Sequence, residues 1–145
     1  MAACYAPDAR FTDPVFVGLR GAEPPAMWTM LTSRSADLRV ELLESSADDT
    51  SASAHWVARY TFAQTGRPVT NDVRSSFRLA DGLIAEQQDT FGFYGWARQA
   101  LGMPGLLLGW TPIIRNAVQR KARASLAEFM SRDASRDPGR DRLGE

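Results

Sequence analysis

The segment from Trp56 to Phe91 decides the expected fold, and it reads WVARYTFAQTGRPVTNDVRSSFRLADGLIAEQQDTF. Trp56, Ala58, Tyr60 and Phe62 recur at every second position, which is the period of a strand with one buried face. Two turn signals, Thr65-Gly66-Arg67-Pro68 and Asp81-Gly82, separate runs of strand character. Successive hairpins predict an antiparallel meander that buries one face of a sheet and exposes the other.

The residues before this segment predict one further strand of the meander and a short helix. Leu38, Val40 and Leu42 alternate with charged residues, and a loop is expected around residues 45–53. A helix is expected from Glu23, with two prolines in its first turn.

The first residues of the chain predict a less regular arrangement. Met1 to Tyr5 resembles the last turn of a helix. A short strand is expected from Phe11 to Val17, interrupted by Asp13-Pro14, and Gly18 to Gly21 is expected to form a turn.

The residues after the meander predict a helical end to the domain. A helical turn or two is expected from Tyr94 to Leu101, and the last helix is expected to begin at Thr111-Pro112. The apolar stripe of this helix consists of Ile114, Val118, Ala122, Leu126 and Phe129. The order of elements predicts one α+β domain over residues 1–131, with helices packed on a curved antiparallel sheet. Residues 132–145 are expected to form a disordered tail.

Composition excludes several classes of function. The 145 residues include 17 basic and 17 acidic side chains, so no net charge favours nucleic acid as a partner. The single cysteine excludes an internal disulfide framework, and no signal peptide or membrane-length apolar run is present. We therefore expect a cytoplasmic protein without a membrane span.

Four short stretches together resemble the nuclear-transport-factor-2-like, or SnoaL-like, superfamily, which includes the ketosteroid isomerases. They are residues 3–14 (ACYAPDARFTDP), 65–68 (TGRP), 77–84 (FRLADGLI) and 88–91 (QDTF). The resemblance implies a cone-shaped domain, often a homodimer, with a pocket between the sheet and the N-terminal helices. It also implies a small lipophilic ligand and either cofactor-free isomerase, hydrolase or cyclase chemistry or no catalysis.

One departure from the family pattern concerns the lid of the pocket. Family members usually begin with a long helix over the pocket, whereas this chain starts at the end of the second helix. Either the given start lies downstream of the natural one, or the uncharged segment from Gln99 to Ile114 and the last helix replace the lid.

Asp13 is the first candidate catalytic residue. By resemblance, an aspartate immediately before a proline is the general base of ketosteroid isomerases. A carboxylate at the mouth of an apolar pocket can move a proton between carbons next to a carbonyl. The alternative is structural, because Asp-Pro is a common turn dipeptide. The resemblance places the oxyanion donors of the isomerases at Ser75 and on the absent first helix, which argues against steroid isomerisation.

Asp89 is the second candidate catalytic residue. By resemblance, it corresponds to a catalytic aspartate of epoxide hydrolases and polyketide cyclases. The alternative is a buried aspartate that an arginine or an indole satisfies. Epoxide hydrolysis also requires an Arg-Asp pair on a neighbouring strand, and Trp56 to Tyr60 contains no carboxylate. If Asp13 and Asp89 line one pocket, burial and mutual repulsion raise at least one pKa.

The expected ligand-binding wall consists of apolar residues of the inner sheet face and helix, with two polar ones. Its members are Trp28, Trp56, Tyr60, Phe62, Asn71, Val73, Ser75, Phe77 and Phe91. The alternative is that the aromatic residues are ordinary core, since core and pocket share this face.

Other features predict no further chemistry. His55, the only histidine, cannot anchor a two-histidine metal site and is expected to face solvent or a partner subunit. No metal or cofactor is therefore expected. For the Leu101 to Ile114 segment, a lid, a dimer contact or core packing is preferred over a membrane contact.

Two hypotheses from different classes remain. The first is a pocket protein that binds a small lipophilic molecule, with acid–base chemistry at Asp13 or Asp89. The second is a non-catalytic dimerisation or interaction domain whose pocket is simply core.

Overall fold

A computed structural model describes residues 2–136 as a mixed α+β domain with one open sheet. After a 3₁₀ turn at Ala2–Cys4, the strands are β1 (Tyr5–Thr12), β2 (Leu19–Arg20), β3 (Arg39–Ala47), β4 (Ser51–Phe62), β5 (Arg67–Ala80) and β6 (Leu83–Thr90). The helices are α1 (Glu23–Arg34), α2 (Phe93–Leu101), α3 (Met103–Leu108) and α4 (Pro112–Arg136). The strand order across the sheet is β2-β1-β6-β5-β4-β3.

The predicted meander is confirmed, and its strands are longer than expected. β3, β4, β5 and β6 pair in sequence order and antiparallel. The loop predicted over residues 45–53 is wrong for most of its length, since only residues 48–50 lie between β3 and β4. This tight turn forms because Asp48 Oδ1 accepts hydrogen bonds from the backbone N–H groups of Thr50 and Ser51, both at 2.7 Å.

The start of the chain differs in part from the prediction. Ala2–Cys4 form a helical turn of the 3₁₀ type, but Tyr5 already begins a strand. Strand β1 lies parallel to β6, with Phe11 opposite Gln87. The predicted strand from Phe11 to Val17 is also wrong, because β1 ends at Thr12 and the chain turns at Asp13. Within the predicted turn, β2 pairs antiparallel with the end of β1.

Helices α1 and α4 cover the β1–β2 end of the sheet. The cluster beneath them consists of Phe11, Phe16, Leu19, Met27, Met30 and Leu126. Helix α1 begins at Glu23 with its prolines in the first turn, as predicted. Leu126 of the predicted α4 stripe is fully buried, and Arg34 donates a hydrogen bond from Nη1 to Ser125 Oγ at 2.7 Å. Helix α4 is thereby fixed to α1.

Helix α2 packs on the part of the sheet formed by β4 and β5. A second cluster there consists of Val69, Phe93, Trp96, Ala97 and Ala100. Helix α3 follows α2 directly, and its Gly105 packs against α2 while most of its apolar side chains are exposed. Core packing was one of the roles expected for the Leu101 to Ile114 segment. This prediction is wrong for the exposed apolar side chains of α3.

The C-terminal boundary lies further along the chain than predicted. Helix α4 continues to Arg136, so residues 132–136 of the expected tail are helical. The remainder of that tail lies outside the described residues. No helix within residues 2–136 has both the length and the apolar character needed to cross a membrane.

Candidate acid-base site

The inner face of the sheet brings one predicted carboxylate next to several predicted wall residues. Because side chains alternate along a strand, Val73 and Ser75 of β5 face the same side as Asp89 of β6. Ser75 lies directly opposite Asp89, and Val73 lies opposite Trp56 of β4. All of these side chains are buried except Trp56, which is half-buried.

A chain of hydrogen bonds reaches Asp89 from α1. The indole Nε1 of Trp28 donates to the Tyr5 hydroxyl at 2.7 Å, and this hydroxyl donates to Gln87 Oε1. Gln87 Nε2 in turn donates to Asp89 Oδ1 at 2.9 Å. Tyr5 is withdrawn from water, which raises its pKa to about 12 and keeps the phenol protonated at neutral pH.

A second, shorter chain reaches Asp89 from β4. Trp56 Nε1 donates to Ser75 Oγ at 2.8 Å, and the Ser75 side chain is hydrogen-bonded to Asp89. Burial raises the pKa of Asp89, while the hydrogen bonds from Ser75 and Gln87 act in the opposite direction. Asp89 is 3% exposed, and its carboxyl group is hydrogen-bonded to Gln87 and to Ser75.

These partners differ from those expected for a structural Asp89. An arginine or an indole was predicted, whereas a serine and a glutamine contact the carboxyl group. The β5 arginines, Arg74 and Arg78, have the opposite strand parity and are exposed, so neither of them reaches it. The Trp56 indole is linked to the Asp89 carboxyl group through its hydrogen bond to Ser75.

Asp13 is held at the turn that ends β1. Its Oδ1 accepts hydrogen bonds from the backbone N–H groups of Val15, at 2.6 Å, and Phe16. This Asx-type arrangement is the structural role predicted as the alternative for an Asp-Pro dipeptide. Asp13 is also half-buried, so its carboxylate is only partly hydrated.

The surroundings of Asp13 raise its pKa to about 7. Removal of the carboxylate from water is the largest cause, and the two backbone amides oppose it. The smallest cause is the charge that Asp89 carries when it is ionised, which raises the pKa of Asp13 further and couples the two carboxyl groups electrostatically. A carboxyl group with a pKa near neutrality exists in both protonation states under ordinary conditions.

The second carboxylate oxygen of Asp13 is the chemically available one. Both of the hydrogen bonds to this carboxylate use Oδ1. Among the described side chains, residues 3–135, no buried oxygen or nitrogen lacks a partner, and no hydrogen bond to Oδ2 is formed there, so Oδ2 is not fully shielded from solvent. One oxygen therefore holds the turn, while the other makes no hydrogen bond among the described residues.

The predicted ligand wall divides into two groups. Trp28 and Trp56 meet edge to face with ring centroids 6.4 Å apart, near Asp89. Tyr60, Phe62 and Phe91 instead pack on the α2 cluster, where Trp96 Nε1 donates to the Tyr60 hydroxyl at 3.0 Å. Val15, two residues after Asp13, packs against both this cluster and the one beneath α1.

The two remaining wall residues lie on the same face as Ser75. Asn71 and Phe77 share its strand parity and are half-buried. Burial raises the pKa of Tyr60, and the charge of Asp13 adds to this effect. Asp13 thus affects the pKa of Tyr60, which packs on the α2 cluster. It also interacts electrostatically with Asp89, which lies near Trp28 and Trp56.

Sequence reasoning missed three residues that belong to this arrangement. Gln87 shares a strand face with Asp89, and this shared parity is the signal from which it could have been found. Tyr5 was missed because its segment was interpreted as the end of a helix. Trp96 gave no signal beyond an aromatic residue in a helical pattern, because its bond to Tyr60 spans 36 residues.

Two surface clefts lie elsewhere. One, of about 270 Å³, is lined by β1, β2 and β6 and includes Gln87, and the other, of about 200 Å³, lies between the Val15–Leu19 turn and α4. Neither of these clefts is lined by Asp13 or Asp89.

The outer face of the sheet is polar and carries the single histidine. His55 Nε2 lies 2.9 Å from Asp72 Oδ1, on the opposite face from Trp56. Among the described residues, no three histidine, cysteine, aspartate or glutamate side chains come close enough together to hold a metal ion.

The chain belongs to the SnoaL-like domain family, whose model matches residues 1–87. None of the curated protein sequences matches the chain.

Solved structures with the same fold include proteins of different descriptions. A protein of Catenulispora acidiphila with a ketosteroid isomerase-like fold, solved with trimethylamine, is 18% identical (TM-score 0.61; 77% of this chain and 84% of that chain covered). TsrD from Streptomyces laurentii is 24% identical (TM-score 0.57; 68% and 78%). An LEH-like epoxide hydrolase of M. tuberculosis is 20% identical (TM-score 0.55; 73% and 77%). At these identities the likeness establishes the fold alone.

Proposed function

We propose that this protein binds a small lipophilic molecule and transforms it by acid–base chemistry without a cofactor. The observation that carries the proposal is the state of Asp13, whose pKa is about 7 and whose Oδ2 retains solvent contact. A general base works best when its pKa is close to the working pH. The aromatic side chains on the inner sheet face support a lipophilic rather than a charged substrate.

In this reaction the ionised Asp13 removes a proton through Oδ2. The Val15 and Phe16 amides hold Oδ1, so the carboxylate keeps its orientation during the transfer. Substrates of the fitting class carry a weakly acidic C–H group next to a carbonyl. The proton then remains on Asp13 until it returns to another carbon of the same molecule, which leaves the site unchanged after one turnover.

Asp89 acts as the partner acid in this proposal. Its burial favours the protonated form, and a protonated carboxyl group donates a strong hydrogen bond to a developing oxyanion. Gln87 and Ser75 orient the group through the two hydrogen-bond chains described above. The roles of the two aspartates thus differ because their surroundings differ.

We further propose that the protein acts as a cytoplasmic homodimer. The family resemblance supports a dimer. The ligand wall that we assign to the site consists of Trp28, Trp56, Tyr60, Phe62, Asn71, Val73, Ser75, Phe77 and Phe91.

Native mass spectrometry of freshly purified protein is the first test. We expect a dimer that carries a retained small molecule, and the mass of that molecule selects the carbonyl compounds to assay. Asp13→Asn is then expected to lower turnover at least a hundredfold, since general-base catalysis contributes about 10²–10⁴-fold. Asp8→Asn, a change at an exposed position of β1, is the matched control and is expected to leave turnover unchanged.

The alternative is a non-catalytic interaction domain, and two observations favour it. Gln87 and Ser75 already engage the Asp89 carboxyl group, and neither of the two clefts described above reaches a candidate carboxylate. A ligand-free species that takes up no member of a lipophile panel selects this alternative. Equal turnover in wild type and Asp13→Asn excludes Asp13 as the base.

A further inference from the structure

An exposed apolar surface follows the second cluster along the chain. We name it the apolar crest, and it consists of Met103, Leu106, Leu107, Leu108, Trp110 and Ile113. Leu107 is 61% exposed, Trp110 is 73% exposed and Ile113 is 76% exposed. Contiguous apolar side chains at this level of exposure are unusual on a protein surface and mark contact sites.

The crest is held rigidly by close packing of α3 on α2. A Cβ atom added to Gly105 lies 2.0 Å from the Ala97 carbonyl oxygen, so the two helices touch through their backbones. A Cβ on Gly109 lies 2.2 Å from the Gly105 carbonyl oxygen. Since the glycines occupy the inner side, the leucines between them lie on the outer side.

The backbone of the crest is already satisfied within the protein. The Leu106 carbonyl accepts from the Tyr94 hydroxyl at 3.1 Å, and the Leu107 carbonyl accepts from Trp110 Nε1 at 3.2 Å. Thr111 donates to the Leu108 carbonyl through both its N–H and its hydroxyl group. Burial of this segment in an apolar medium therefore costs little, because few backbone groups lose water without a partner.

The chain segment that carries the crest has basic charges only. Residues 90–127 contain five basic side chains and no acidic one, and Arg123 among the five is paired with Glu23 of α1 at 3.4 Å. Arg98 lies one turn beyond Tyr94 on α2, and Arg115 lies 5.1 Å from the Phe93 ring centroid. Arg67 donates to the Gln99 carbonyl at 2.7 Å and approaches Gly102 at the start of α3. Arg67, Arg98 and Arg115 are exposed.

We propose that the apolar crest docks on the surface of an anionic lipid bilayer. Leucine and tryptophan side chains enter the headgroup region, where the indole and the exposed Tyr94 ring are suited to the boundary. The arginines contact lipid phosphates. A second copy of this chain fits less well, since a two-fold interface through the crest places like-charged arginines near each other.

Vesicle co-sedimentation of the full chain tests this proposal. The probes are phosphatidylcholine vesicles and vesicles in which about a third of the lipid is phosphatidylglycerol. We expect binding to the anionic vesicles, at least tenfold weaker binding to the neutral ones, and release by high salt. Arg98→Gln with Arg115→Gln is expected to weaken anionic binding about tenfold or more.

The apolar contribution is tested with matched charge insertions. Leu107→Glu is expected to abolish vesicle binding, whereas Leu42→Glu, at an equally exposed leucine of β3, retains it. Circular dichroism establishes that both variants fold. Absence of binding to anionic vesicles at low salt, or equal loss in both variants, overturns the proposal. The proposal is also overturned if the wild type does not bind vesicles and sedimentation equilibrium shows that Leu107→Glu abolishes self-association.

Discussion

Asp13 combines two roles in one carboxylate because its oxygens meet different surroundings. Oδ1 replaces the backbone partner that the chain loses where β1 ends, and this explains the turn before Val15. Oδ2 remains available, and partial burial raises the pKa of the group to about 7. A turn aspartate and a general base are therefore compatible at this position.

The pH dependence of stability tests the state of Asp13. The pKa rises from an ordinary value of 3.8 to about 7 on folding, so the native state holds a proton that the unfolded chain releases. The free energy of unfolding should consequently fall as pH rises from about 4 to about 7, by an amount on the order of a few kcal/mol. Urea unfolding of the wild type and Asp13→Asn at pH 4.5 and 7.5 measures this.

In Asp13→Asn the fall should be smaller, because the amide does not ionise and its oxygen still accepts the Val15 and Phe16 bonds. A smaller fall remains in the variant, since the pKa of Asp89 is also raised. Asp8→Asn should keep the wild-type profile. Identical profiles in the wild type and Asp13→Asn contradict the raised pKa.

Ser75 links the Trp56 indole to Asp89, and its removal affects both. Ser75→Ala leaves the indole N–H without its acceptor and should lower the free energy of unfolding by about 1–3 kcal/mol. Because the Ser75 hydrogen bond lowers the pKa of Asp89, the variant should also titrate Asp89 at higher pH. Carbon-detected NMR of the carboxyl groups and urea unfolding measure the two effects.

Ser76→Ala is the control for this change. Ser76 is the neighbouring exposed residue, and its only recorded side-chain bond within the described part of the chain is a long one of 3.5 Å. This variant should stay within about 0.5 kcal/mol of the wild type. Equal losses in both serine variants contradict the assigned network.

Among the elements, the α2–α3 pair depends on glycine for its close approach. Gly105→Ala places a methyl group against the Ala97 carbonyl and should destabilise the protein by about 1–3 kcal/mol or more. Gly95→Ala in the same helical pair meets no atom within 4 Å. This change should stabilise the protein by up to about 1 kcal/mol, because alanine favours a helix over glycine. Thermal unfolding of both variants measures the contrast, and equal shifts exclude the close packing.

The strands and their connections also explain which parts of the structure could be predicted from the sequence. Alternation along β4, β5 and β6 places Trp56, Ser75 and Asp89 on one face, as the sequence predicts. Hairpins join these strands, so their pairing depends on residues close in the chain. The parallel pairing of β1 with β6 brings Tyr5 opposite Ile84, and no local pattern contains that information.

For the molecule as a whole, α4 packs together with α1 over the β1–β2 end of the sheet. Leu126→Ala removes a fully buried side chain from the cluster beneath α1 and should cost about 2–5 kcal/mol. Leu107→Ala, at an exposed position, should change the free energy of unfolding by less than about 0.5 kcal/mol. Urea unfolding compares them. A small loss for Leu126→Ala would show that α4 is not required for the fold.

The sequence by itself determined the α+β class, the meander, the family resemblance and the inner-face position of Asp89. These properties follow from side-chain alternation and turn chemistry, which act over a few residues. The tertiary structure alone decided the partners of Asp89, the pKa of Asp13 and the exposure of the apolar crest. Each of these depends on groups far apart in the chain, because burial and hydrogen bonding are set by the packing of distant elements.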